Sequence, residues 1–137
     1  MPKKKAKKYN QNSTIISSLK RSFSRSPIVK EMLDDVRSEE VWYKKDGTPA
    51  KKPRVLFECA ECKSKEMRKN VQCDHIEPVV PVEIPSKHMS LAIMCHRLFV
   101  EKEGLQILCK PCHKEKSKKE NEQRRQWRKK EKHIVYI

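Results

Sequence analysis

Apolar residues recur with helical periodicity in two parts of the chain. The first part predicts a helix over about 27–42, with an apolar face of Ile28, Met32, Leu33 and Val36. The second predicts a helix near 87–100, with an apolar face of Leu91, Met94, Cys95 and Leu98. From His113 to about Lys132 the chain is rich in Lys, Glu, Arg and Gln and contains no helix breaker, which predicts a third helix.

Short apolar or alternating segments predict strands. Residues 55–57 form an apolar approach to Cys59, residues 70–76 alternate as a half-buried strand does, and residues 105–108 lead into Cys109. Three prolines interrupt residues 77–85, which are therefore expected to form an extended connector. This order of helices and strands predicts an α+β fold in a single domain over 26–132.

The two ends of the chain lack such patterns. Residues 1–25 begin with a run of lysines followed by Asn, Gln, Ser and Thr, and they are expected to form a basic disordered arm. Residues 133–137 are expected to form a short tail.

The composition predicts a small core. Hydrophobic residues make up 36% of the chain and charged residues 37%, and a bound metal ion supplies folding free energy that a small core lacks. Six cysteines permit disulfides as an alternative. No apolar run is long enough for a signal peptide or a membrane span, so metal-bound thiolates in a cytoplasmic protein are favoured.

The formal net charge of +15 is concentrated at the two ends. Residues 1–30 contain nine Lys/Arg and no acidic residue, and residues 110–132 contain eleven Lys/Arg against four Glu. Two basic ends around a nearly neutral middle favour binding to the phosphates of nucleic acid, with a steep dependence on salt. The alternative is that these lysines are simply solvated. In the last helix, the candidate phosphate-binding residues are Arg124, Arg125, Arg128, Lys129 and Lys130.

Two Cys-x2-Cys pairs carry the strongest signal in the sequence. Cys59 and Cys62 form one pair, Cys109 and Cys112 form the other, and 46 residues separate the pairs. A Cys-x2-Cys turn presents two sulfurs to one ion, and four thiolates complete the tetrahedral shell of a structural Zn2+. The alternatives are two unrelated pairs or a redox dithiol.

Asp74 and His75 lie between the two cysteine pairs in the sequence, and His113 directly follows the last cysteine. Phosphodiester hydrolysis needs a cation near the scissile phosphate and a base that activates water near neutral pH. Since adjacent strand residues point to opposite faces, Asp74 can hold a divalent ion while His75 addresses the water, and His113 can complete the ion's protein ligands. Alternatively, Asp74 is a turn or capping residue, and His113 is a helix-start residue or a zinc ligand in place of a cysteine.

Three segments of the chain resemble the HNH endonuclease family, in particular its zinc-containing branch frequent in bacteriophages. They are Cys59-Ala60-Glu61-Cys62, then Cys73-Asp74-His75-Ile76-Glu77-Pro78-Val79, and finally Gly104-Leu105-Gln106-Ile107-Leu108-Cys109-Lys110-Pro111-Cys112-His113. The resemblance covers about residues 26–120 and implies a small zinc-stapled ββα-metal domain (HNH/His-Me finger) with flanking helices. It implies cleavage of DNA, by nicking or by double-strand cutting.

The resemblance also assigns roles to residues of this chain. It implies that His75 is the general base, that Asp74 and His113 bind a catalytic Mg2+ or other divalent ion, and that the four cysteines bind structural zinc. A phage-encoded protein of this kind would act in the host-cell cytoplasm.

The chain departs from the family pattern at Gly104. The family has an asparagine at this position, and its side chain is thought to brace the loop of the general base. Glycine lacks such a side chain, so His75 needs another partner, such as a backbone carbonyl. The alternative functions are a catalytically degenerate zinc-dependent DNA-binding module and a packaging accessory factor that acts beside phage terminase proteins.

Overall fold

The helices and strands of the protein come from a computed structural model that describes residues 1–2, 4–85 and 88–132. The helices are α1 (Gln11–Ser24), α2 (Pro27–Asp35), α3 (Leu91–Leu98) and α4 (Lys110–Lys132). The strands are β1 (Arg37–Glu40), β2 (Arg54–Glu58), β3 (Lys65–Glu66), β4 (Val71–His75) and β5 (Leu105–Cys109). The prediction of a mixed α+β fold is confirmed.

The strands form two antiparallel sheets. One has the order β1-β2-β3, and the other is the pair β4-β5. In the second sheet Asp74 lies opposite Gln106, and Val71 lies opposite Cys109. The connector and α3 lie between β4 and β5 in the sequence, and α4 follows β5 directly. The helix α4 therefore continues directly from the strand that pairs with β4, and its start brings His113 beside Asp74.

The core is small, as the composition predicts. One buried cluster joins α1, α2, α3 and β5 through Phe23, Val29, Leu98 and Leu105. A second cluster joins the two sheets through Phe57, Val71 and Ile107. Both clusters are extended by half-buried residues of α2, so this helix packs against both.

The prediction of a disordered arm over 1–25 is wrong for residues 11–24, which form α1. Asn10 caps this helix, since its side-chain oxygen accepts a hydrogen bond from the Ser13 amide at 3.1 Å. Ile15, Leu19 and Phe23 are spaced four residues apart, and Phe23 is buried against the core. The polar composition of the segment hides this short apolar stripe.

The predicted boundaries of the other helices also need correction. The helix predicted over about 27–42 ends at Asp35, because Arg37–Glu40 pairs with β2 as an edge strand. The helix predicted near 87–100 begins at Leu91, where Ser90 caps it, and residue 87 lies outside the described residues. The last helix begins at Lys110 rather than at His113. The predicted tail, 133–137, also lies outside the described residues.

In the described part of the chain, no helix combines the length and apolar character that crossing a bilayer requires.

The packing of α1 generates a stability prediction. Phe23→Ala is expected to lower the free energy of unfolding by about 3 to 5 kcal/mol, because it deletes a buried aromatic ring and leaves a cavity. Urea denaturation of the metal-loaded protein, followed by circular dichroism, measures this change. Lys20→Ala on the exposed face of the same helix is the control. Equal, small effects of the two substitutions would mean that α1 does not pack on the core.

Candidate functional site

The four cysteines of the two Cys-x2-Cys pairs come together in a group, hereafter the cysteine cluster. Their sulfur atoms all lie within 4.8 Å of one another, and the Sγ atoms of Cys62 and Cys109 are 3.7 Å apart. Tetrahedral Zn–S bonds of about 2.3 Å place two sulfurs about 3.8 Å apart. The cluster can therefore hold a metal ion, and its spacing and thiolate donors are compatible with zinc.

The first pair is shaped by a tight turn after β2. The Lys63 amide donates to the Cys59 carbonyl at 3.0 Å, and the Cys59 amide donates to the Ser64 carbonyl at 2.8 Å. Lys63 adopts a left-handed conformation, with φ of 62°, which allows the chain to reverse within this turn. The Ala60 amide donates to the Ile107 carbonyl at 2.8 Å, which ties the turn to β5.

The second pair spans the junction between β5 and α4. Cys109 is the buried last residue of β5, and Cys112 lies in the first turn of α4. Pro111 also lies in that first turn, where its missing amide hydrogen leaves no helical hydrogen bond unmade. A metal ion held by both pairs therefore joins the end of β2 to the start of α4.

The thiols of the cluster differ in acidity. The Ser64 hydroxyl lies 3.1 Å from the Cys62 sulfur, and this hydrogen bond lowers the pKa of Cys62 to about 6. The adjacent thiol of Cys109 and burial raise the pKa of Cys112 to about 12. Four thiolates in so small a volume repel one another, so ionisation of all four requires a cation.

Asp74 lies on the strand β4, opposite Gln106 of β5. It is only 8% exposed, and its Oδ2 atom accepts hydrogen bonds from Gln106 Nε2 and Lys116 Nζ, both at 3.0 Å. Its Oδ1 atom lies 3.4 Å from His113 Nε2. A buried carboxylate needs such partners, because removal from water disfavours its charge.

The helix α4 supplies two of the groups around Asp74. His113 and Lys116 are three residues apart and so lie on one helix face. Lys116 Nζ also contacts the His75 carbonyl at 2.8 Å and Glu120 Oε1 at 2.7 Å. Burial opposes the charged ammonium, but the hydrogen bonds to Glu120 and Asp74 outweigh it, and the pKa of Lys116 is raised above its ordinary value.

Asp74 and His113 are close enough to bind one ion together. Two neighbouring ligand atoms in an octahedral shell with bonds of about 2.1 Å are about 3 Å apart, and Asp74 Oδ1 and His113 Nε2 are 3.4 Å apart. A carboxylate oxygen and an imidazole nitrogen suit a divalent cation. Among the described residues, the cysteine cluster consists of four cysteines without a histidine, which disfavours His113 as a zinc ligand.

His75 contacts different partners from Asp74, as expected for adjacent strand residues. Its Nε2 atom donates to the Leu98 carbonyl at 2.7 Å, and its ring lies 4.9 Å from the Phe23 ring. Because a carbonyl oxygen only accepts hydrogen bonds, Nε2 carries a proton, and Nδ1 is the nitrogen with the lone pair in the neutral form of the ring. His75 lines an open pocket of about 330 Å³, together with Glu77, His96 and Arg97.

Gly104 acts through its main chain. Its carbonyl accepts a hydrogen bond from the Ile76 amide at 2.9 Å, which extends the β4-β5 pairing beyond His75. A Cβ atom at this position would lie 3.0 Å from Val100 Cγ2 and 3.2 Å from Val100 Cβ. The second contact persists in every side-chain rotamer of Val100, so the backbone has to shift to admit an asparagine or alanine here.

The five basic residues predicted to bind phosphate have different surroundings. Arg124 Nη2 donates to the Val80 carbonyl at 2.7 Å, so this guanidinium fastens α4 to the connector. Arg125 pairs with Glu122 at 3.0 Å, while Arg128, Lys129 and Lys130 are exposed.

The sequence interpretation missed several residues. Gln106 and Lys116 both contact Asp74. The register of β4 and β5 would have identified Gln106, and the three-residue spacing from His113 along α4 would have identified Lys116.

Exposed basic residues also form a stripe on the face of α4 that points away from the strands, with spacings of four, seven and four residues. This exposed stripe comprises Lys114, Lys118, Arg125 and Lys129.

No protein-family model, curated protein or solved structure matches this chain. The likeness to HNH endonucleases is therefore one of short motifs. Any function of the site follows from its own geometry and chemistry.

The cysteine cluster generates a prediction about metal content. The purified protein is expected to contain one zinc ion per chain, as measured by inductively coupled plasma mass spectrometry. Cys112→Ser is expected to lose this zinc and to lower the thermal midpoint of unfolding, since it removes one of four ligands. Cys95→Ser changes a half-buried cysteine outside the cluster and is expected to retain the zinc. Full zinc content in the Cys112 variant would exclude this ligand set.

The crowded position of Gly104 generates a second prediction. Gly104→Ala is expected to destabilise the protein by about 1 to 3 kcal/mol, because the new methyl group overpacks against Val100. The same substitution in a Val100→Ala background is expected to cost less, since Cγ2, the atom of closest contact, is absent and only the contact with Cβ remains. Denaturant titration of the unaltered chain, the two single variants and the double variant gives the coupling free energy between positions 100 and 104. Additive effects would contradict the proposed contact.

Proposed function

We propose that the chain is a metal-dependent endonuclease of the HNH type that hydrolyses phosphodiester bonds in DNA. The observation that carries this proposal is the 3.4 Å approach of Asp74 Oδ1 to His113 Nε2, with His75 as the next residue after Asp74. The order of β4, β5 and α4 around these residues agrees with the ββα-metal arrangement that the sequence motifs imply.

Each residue of the proposed site has one role. Asp74 and His113 would hold Mg2+ or another divalent ion, whose charge would stabilise the negative charge on the phosphate and on the departing oxygen. His75 accepts a proton from the attacking water at Nδ1, the ring nitrogen that its hydrogen bond to Leu98 leaves unprotonated.

Main-chain groups support His75 where the family uses an asparagine side chain. The Leu98 carbonyl fixes the tautomer of His75, the Phe23 ring packs against it, and the Gly104 carbonyl holds the residue that follows it. Gly104 therefore does not argue against an active site.

The cysteine cluster has a structural role in this proposal. Four thiolates close the coordination shell of Zn2+ and leave no open position for water or substrate. Asp74 and His113 remain available to a second ion. The cluster fixes the start of α4, and His113 directly follows its last cysteine.

The basic surface is proposed to bind the DNA backbone. The exposed stripe of α4 and the exposed residues near its end offer positive charges to phosphates. At a rise of 1.5 Å per residue, Arg128 to Lys130 lie roughly 22 to 26 Å along the helix from His113. This distance suits contacts more than half a turn of duplex DNA away from the site of cleavage.

A second candidate function is a zinc-dependent DNA-binding module that does not cut. The contact of Lys116 Nζ with Asp74 Oδ2 at 3.0 Å favours it, since this ammonium neutralises the carboxylate without a divalent ion. DNA binding without cleavage in Mg2+, Mn2+ or Ni2+ distinguishes this candidate from the nuclease.

The nuclease proposal predicts the effect of removing the base. His75→Ala is expected to abolish divalent-dependent nicking of supercoiled plasmid, with a loss of at least about a hundredfold in rate. Zinc content is expected to persist, because His75 lies outside the cysteine cluster. A cooperative thermal transition is expected to remain at a lower midpoint, because the substitution removes the contacts of His75 with Leu98 and Phe23. His88→Ala, which changes an exposed histidine away from the site, is the control. Undiminished nicking by purified His75→Ala would remove this residue from the mechanism.

A further inference from the structure

Lys116 has three oxygen partners on two different elements. Its Nζ atom lies 3.0 Å from Asp74 Oδ2, 2.8 Å from the His75 carbonyl and 2.7 Å from Glu120 Oε1. The Lys116 side chain is 24% exposed. An ammonium group has three hydrogens, and three acceptors therefore use its full donor capacity.

The contact with Glu120 is local to α4, but the other two cross from the helix to the strand β4. One cross-contact engages the carboxylate of Asp74, and the other engages the main chain of His75. A lysine that only stabilised α4 would need the Glu120 contact alone. Lys116 therefore connects the proposed ion ligand and the proposed base.

The two oxygens of Asp74 have different surroundings. Oδ2 accepts from both Gln106 and Lys116, whereas Oδ1 faces His113. Lys116 and Gln106 thus fix the rotation of the carboxylate and leave Oδ1 as the oxygen for an ion. A divalent ion at Oδ1 shares this carboxylate with an ammonium, and the two cations repel each other.

We propose that Lys116 is a positioning residue and a built-in counter-cation of Asp74, which restricts a divalent ion to Oδ1, weakens its binding and anchors the main chain of His75. This inference rests on the proposed function. Because Lys116 lowers the affinity for the ion, a divalent ion binds firmly only when a DNA phosphate adds its own negative charge and an oxygen ligand.

The test measures Mn2+ binding to the full-length, zinc-loaded protein without DNA, by electron paramagnetic resonance. Lys116→Met is expected to bind Mn2+ about tenfold more tightly than the unaltered chain, because a neighbouring positive charge is removed. Lys116→Arg retains the charge and is expected to bind with nearly unchanged affinity. Lys119→Met removes the charge of an exposed lysine on the same helix and is expected to leave Mn2+ affinity unchanged.

Plasmid nicking at saturating Mn2+ gives the second readout. Lys116→Met is expected to nick at least about tenfold more slowly in spite of its tighter ion binding, because Asp74 and His75 are less well positioned. A purely structural lysine would lower the thermal midpoint without raising ion affinity. Lys116→Gln keeps a hydrogen-bond donor without the charge, and it replaces Lys116→Met in both assays if the latter does not fold.

The outcomes separate this inference from the nuclease proposal. Equal or weaker Mn2+ binding by the neutral Lys116 variant would overturn the role of Lys116, even if the unaltered chain nicks DNA. Binding by that variant alone would support the role of Lys116, and plasmid nicking by the unaltered chain would then decide the nuclease proposal separately. An absence of Mn2+ binding by both proteins would overturn the role of Lys116, and an absence of nicking as well would overturn the nuclease proposal.

Discussion

Four cysteine sulfurs confined within 4.8 Å of one another are the constraint on which the rest of the structure depends. As thiolates they would repel one another unless a cation neutralised them, so binding of a metal ion by these cysteines would be coupled to folding. The core supplies little alternative support, since its fully buried side chains are few. The cysteine cluster joins the end of β2 to the junction of β5 and α4, and it thereby sets where the last helix begins.

The start of α4 in turn determines what surrounds Asp74. The β4-β5 register places Gln106 opposite Asp74, and the first two turns of α4 bring His113 and Lys116 to its two oxygens. A buried carboxylate with a lysine, an amide and an imidazole around it is a costly arrangement for stability alone. This is the physical reason to interpret it as a site.

The strands β2, β4 and β5 and the cysteine pairs could be predicted closely, whereas β1, β3 and α1 could not. Periodicity and composition located β4, β5 and α4 to within a few residues. Each of these elements is indicated by local sequence alone: alternating residues in β4, an apolar run in β5 and helix-forming residues in α4. The helix α1 contains only four apolar residues among many polar ones, and packing of Phe23 on the core stabilises it. The end of α2 also depends on a distant partner, since Arg37–Glu40 becomes a strand by pairing with β2.

The sequence by itself determined the candidate residues: the spaced cysteines, the Asp74-His75 pair, and a histidine directly after the last cysteine. Only the tertiary structure decided which atoms meet. It brought Lys116 to Asp74, gave His75 the Leu98 carbonyl in place of a side-chain amide, and turned Arg124 toward the connector. Main-chain carbonyls are identical at every residue, so a sequence cannot reveal which of them a side chain will contact until the chain has folded.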